Sequence, residues 1–90
     1  MIEIAFTPAF KRSFKKKIKE RPEIESIYWE KVSIFIQNPF DNKLKTHKLS
    51  GKLRFIWSFS VEYDLRVVFS FEENNTKAIF VDFGNHKEVY

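Results

Sequence analysis

The sequence predicts an α+β fold: an N-terminal strand, a two-helix hairpin, then a three-stranded antiparallel meander, with the helices packed on one face of the sheet. Three observations predict it. Residues 47–69, HKLSGKLRFIWSFSVEYDLRVVF, alternate apolar and polar side chains, as a half-buried hairpin does. Residues 10–35 instead repeat apolar side chains at spacings of three and four, the period of a helix. Residues 78–83, AIFVDF, are largely apolar without alternation, which suits a central strand.

Each element follows in order. Ile2, Ile4 and Phe6 alternate with Glu3 and Ala5 in a short strand. Thr7-Pro8 predicts a helix start, with Thr7 as N-cap and Pro8 in the first helical position. Phe10, Phe14 and Ile18 then share one face, and Lys11, Arg12, Lys15, Lys16, Lys17 and Lys19 surround it. Arg21-Pro22 breaks that helix, because the residue before proline avoids the α region. A second helix is expected from about Pro22 to Gln37, turning Ile24, Ile27, Tyr28, the Lys31 stem and Phe35 inward. Asn38-Pro39 ends it, and residues 40–46 read as a polar loop.

In the hairpin, Leu53, Phe55, Trp57 and Phe59 are expected on the inner face, with Lys52, Arg54, Ser58 and Ser60 outside. A turn at Glu62, Tyr63 and Asp64 leads to a second strand with Leu65, Val67, Phe69 and Phe71 inside and Arg66 and Ser70 outside. Glu72 to Asn75 makes the next turn, since asparagine tolerates positive φ. Lys77 to Phe83 is the last strand, Gly84-Asn85 turns the chain, and His86 to Tyr90 closes it.

Ninety residues make one domain, 1–90, and 16 aromatic side chains supply a core that so small a chain otherwise struggles to build. The absence of cysteine excludes disulfides and thiolate metal sites and fits a reducing cytoplasm. No apolar run approaches the ~20 residues that span a bilayer. Charge is uneven: residues 1–54 hold 13 Lys and Arg against six Asp and Glu, a net +7, and residues 55–90 hold three against six, a net −3. A basic surface of this kind suits a polyanion or an acidic protein segment, although a lysine run is ordinarily just a solvated face.

Few residues can carry chemistry. His47 and His86 are the only histidines, a poor basis for a metal site, and no Gly-x-Ser-x-Gly or P-loop is present. Metal-free RNA cleavage requires less. The RNA's own 2′-hydroxyl attacks the phosphate, so the protein needs only proton transfer, charge stabilisation and alignment. Imidazoles titrate near working pH, arginine presents a permanent planar cation, and an aromatic ring stacks on a base. His86, His47, Arg66, Arg54, Lys52 and Tyr90 supply those parts.

Several elements recur in order: His47-Lys48-Leu49 with Gly51, Trp57-Ser58, Tyr63-Asp64 with Leu65-Arg66, and Asp82-Phe83-Gly84-Asn85-His86 with Glu88-Val89-Tyr90. In these the whole chain resembles the RelE/ParE toxin superfamily of type II toxin–antitoxin modules, and within it the RelE- and YafQ-like mRNA endonucleases. The resemblance implies cleavage of mRNA in the ribosomal A site without a cofactor, and neutralisation by an acidic antitoxin. It implies that His86 is an acid or base, that Arg66 stabilises the phosphate and that Tyr90 orients RNA. It also matches His47 to a histidine that precedes the hairpin in YafQ-like members. Lys52, Arg54, Lys48 and Asp64 are then the expected RNA contacts. Two departures stand out: Asp64 alone answers the His-x-x-x-Asp-Trp element of YafQ, and Asp82 replaces an arginine of some relatives. The competing readings are a ParE-like inhibitor of DNA gyrase and a non-catalytic module that binds RNA or an acidic peptide.

Overall fold

A computed structural model describes residues 1–49 and 55–89. The element order is β1 (Glu3–Phe6), α1 (Pro8–Glu20), α2 (Ile24–Gln37), a 3₁₀ turn (Asn42–Leu44), β2 (His47–Lys48), β3 (Trp57–Glu62), β4 (Leu65–Glu72), β5 (Lys77–Gly84) and α3 (His86–Val89). The strands form one sheet in the order β1-β5-β4-β3-β2. The expected strand, helix pair and antiparallel meander β3-β4-β5 are all present.

The start of α1 obeys the local chemistry. Thr7 is extended (φ −82°, ψ 159°), and its hydroxyl accepts the Phe10 N–H at 3.0 Å while Pro8 opens the helix. The same hydroxyl donates to the Val81 carbonyl at 2.8 Å, so one side chain caps the helix and ties it to β5. Val81 is available because β5 bulges there: Val68 faces Asp82 and Phe69 faces Phe80, which leaves Val81 out of register.

The core is aromatic. Phe10 meets Phe80 and Phe83 with ring centroids at 5.4 and 5.8 Å, and Phe35 of α2 meets Phe59, Phe69 and Phe80 at 4.8, 5.0 and 5.6 Å. Both helices therefore send a ring to Phe80. Phe10 is buried, whereas Phe14 and Ile18 are partly buried against the core. On α2 the buried positions are Ile24, Tyr28, Val32 and Phe35, with Val32 taking the inward place expected of the Lys31 stem.

Several expectations need correction. The hairpin strand starts at Trp57, after a separate short strand, β2, has paired with it: His47 faces Ser58 and Lys48 faces Trp57. Leu49 N–H donates to the Ile56 carbonyl at 2.8 Å, closing a β2–β3 hairpin within what reads as a single alternating run. Phe55 thus sits in the connection, 70% exposed, and not on the inner face; the places expected for Leu53, Lys52 and Arg54 lie outside the described residues. The reason is that alternation is blind to which end of a run pairs with which. Glu62 belongs to β3, so the β3–β4 loop is only Tyr63-Asp64. The sheet is mixed, because β1 runs parallel to β5. Leu44, within the expected polar loop, is fully buried. The β4–β5 turn places Glu73 as well as Asn74 and Asn75 at positive φ, 54°, 56° and 65°.

Candidate functional site

Register gathers the site. In an antiparallel pair, facing residues project to the same side and alternate residues along a strand share a face. His47 faces Ser58, Ser60 faces Arg66, and Arg66 faces Gly84. His47, Ser58, Ser60 and Arg66 therefore share the face opposite Phe59 and Val67. Ser58 is fully buried, and the Arg66 guanidinium reaches its hydroxyl in a long contact of 3.5 Å. Arg66 itself is half-buried, its cation lying over a serine floor.

Just past the end of that ladder lie Asp64, in the β3–β4 loop, and His86, at the start of α3. The His86 backbone N–H points at Asp64 Oδ1, 3.4 Å away. His86 is exposed and begins α3, directly after β5. The His47 ring is held from below, with Nδ1 3.2 Å from the Lys45 carbonyl. Lys45 adopts a left-handed conformation, φ 51°, and turns the chain into β2. One sheet face thus collects the His47 imidazole, the Arg66 guanidinium and two serine hydroxyls, with the Asp64 carboxylate and the His86 backbone together at the end of the β4–β5 pair. Such a set can move protons and hold an anion.

Lys48 does not join it. It faces Trp57, on the other side of the sheet, with Nζ 6.0 Å from the Trp57 ring centroid. Lys52, Arg54 and Tyr90 lie outside the described residues. Asp82 is engaged elsewhere: its Oδ1 accepts the Ser13 hydroxyl and the Phe83 N–H, both at 2.8 Å. Among the described residues no group of three or more His, Cys, Asp and Glu is placed to hold a metal ion.

Three contributors have no role in the sequence reading. Alternation puts Ser58 and Ser60 outward without a function, and Glu88 enters only within a recurring element, although Asn85-x-x-Glu88 has the spacing of a capping box. Its Oε1 accepts the Asn85 N–H at 2.8 Å and Lys17 Nζ at 3.2 Å. The Asn85 N–H above all holds the Glu88 carboxyl below its ordinary range, against the opposing effect of burial, and Lys17 adds to the lowering.

The family model for the bacterial YafQ toxin of type II toxin–antitoxin systems matches residues 2–90. The chain belongs to the YafQ toxin family. RelE4 of Methanocaldococcus jannaschii is 29% identical over 90 residues, spanning 100% of this chain and 92% of its own. Among solved structures, a copper-bound mutant toxin from Helicobacter pylori superposes with a TM-score of 0.84 at 20% identity, covering 100% of both chains. YafQ in the Escherichia coli DinJ–YafQ complex superposes with a TM-score of 0.76 at 18% identity, covering 100% of this chain and 99% of that one. The two structures share the fold. Membership of the YafQ family makes the chain a toxin of the type II, RelE-like class.

Proposed function

We propose that this YafQ-family toxin is an endoribonuclease that cleaves mRNA, in the ribosomal A site, by attack of the RNA's own 2′-hydroxyl on the adjacent phosphate. The observation that supports the reading is the shared sheet face of His47, Ser58 and Arg66, with the Arg66 guanidinium over the Ser58 hydroxyl and the His86 backbone beside Asp64 at the end of the β4–β5 pair. In the reaction the 2′ oxygen loses its proton and bonds to phosphorus. The bond from phosphorus to the 5′ oxygen then breaks, leaving a 2′,3′-cyclic phosphate, and the 5′ oxygen takes a proton. Imidazoles serve both transfers, and the guanidinium offsets charge on the phosphorane; positioned acid–base help is worth roughly 10²–10⁴ in rate. Lys52, Arg54 and Tyr90 complete the RNA contacts in this reading, with Asp64 fixing the His86 backbone.

The partner is an acidic antitoxin, as DinJ is the partner of YafQ in the solved complex, and the setting is the cytoplasm. The test is to add the purified chain to mRNA with and without ribosomes and map the 5′ ends by primer extension. Discrete cuts within codons, seen only with ribosomes, are expected. No cleavage in either arm, together with inhibition of gyrase supercoiling, would move the protein to the ParE-like class.

A further inference from the structure

Resting on the assignment of His86 as an acid or base, we propose that Asn85 and Glu88 are positioning residues for it. Their reciprocal cap fixes the first turn of α3, and with it the imidazole. A four-residue helix has no stability of its own, because nucleating a turn costs more than one or two hydrogen bonds return. Its shape must come from its anchors. The Asn85 side-chain oxygen accepts the Glu88 N–H at 2.9 Å, and the Glu88 carboxylate accepts the Asn85 N–H at 2.8 Å. That is a complete capping box. Lys17 then grips the same carboxylate oxygen at 3.2 Å, so α1 braces the box from outside. From the opposite side, Asp64 takes the His86 N–H.

Gly84 makes the closure possible. A Cβ there would lie 2.9 Å from Glu88 Cβ and 2.8 Å from its Oε1, closer than real side chains approach. The carboxylate folds directly over the glycine. Any larger residue pushes the box, and α3 with it, out of place.

If the box acts through His86, its loss should impair the chemical step and leave RNA binding alone, since small misplacements of a reacting group are costly. Glu88→Ala and Asn85→Ala are expected to lower kcat on ribosome-bound mRNA by about 10- to 100-fold, with KM nearly unchanged. Glu88→Gln and Asn85→Asp keep the cap oxygens and should recover most of that loss. Gly84→Ala should behave like Glu88→Ala. The decisive arm is the double variant: in a His86→Gln background, Glu88→Ala should cost nothing further. Undiminished kcat in Glu88→Ala, or a full additional loss in the double variant, overturns the proposal. If His86→Gln itself cuts like the parent, the catalytic reading of His86 fails instead. A readout independent of activity runs alongside. NMR of the His86 side chain should show one rotamer in the parent and averaging in Glu88→Ala, and identical spectra would also overturn the proposal.

Discussion

A single hydroxyl or carboxylate in this molecule often serves two elements at once. Thr7 both caps α1 and binds β5, so Thr7→Ala should cost about 1–2 kcal/mol by chemical denaturation, at the upper end for an N-cap. Tyr28 gives a second residue-scale prediction. Burial pushes its hydroxyl well above the ordinary value of 10.0. The folded chain keeps that proton where the unfolded chain has lost it, so stability should decline as pH rises past about 10. Tyr28→Phe should flatten that decline in melting temperature against pH, and an unchanged slope would contradict it. Glu88 works in the opposite sense. Its carboxyl is held below the ordinary 4.5, so its contribution is present above that pH and is lost as pH falls through the depressed value.

At the scale of elements, much was legible because local chemistry and tertiary need agree. Thr7-Pro8 marks the start of α1, Asn38 caps the end of α2, and Asn74-Asn75 turn β4 into β5. The alternation from Trp57 to Phe71 gives the right inner face, with Phe59, Val67 and Phe69 buried. What could not be read is pairing. Nothing local says that His47-Lys48 forms a strand of its own, that Phe55 falls in a connection, or that β1 lies parallel to β5. The outward side of the site was legible by alternation, since Arg66, Ser58 and Ser60 read outward from the start. His47 joining them, and Lys48 leaving them, depends on the β2–β3 register. Helix periodicity likewise placed Phe10 and Phe14 on one stripe without ranking them. The structure ranks them: both line an open groove of about 250 Å³ with Phe6, Tyr28 and Trp29, but Phe10 is buried against Phe80 and Phe83 whereas Phe14 is only partly buried. Phe10→Ala should therefore cost roughly 3–5 kcal/mol and Phe14→Ala clearly less in urea titrations. Equal losses would mean that the groove is closed in solution.

For the whole molecule, charge and chemistry sit in different places. Most cations lie in the first 54 residues, with a lysine-rich α1, whereas Arg66 and His86 of the proposed site belong to the acidic remainder. An acidic antitoxin steered by those cations should associate more slowly as salt rises, because exposed charges are screened beyond roughly 8–10 Å near physiological ionic strength. Stopped-flow association measured across a salt series checks this, and a flat series would count against electrostatic steering. The central claim is that Arg66 and His86 form one catalytic surface. Its most direct test is the cleavage rate of ribosome-bound mRNA by Arg66→Ala and His86→Gln, with melting temperatures recorded on the same preparations. Both variants should stay folded, because neither side chain is part of the buried core, and both should lose at least about 10²-fold in rate. Folded variants that cut at the parental rate would contradict the claim.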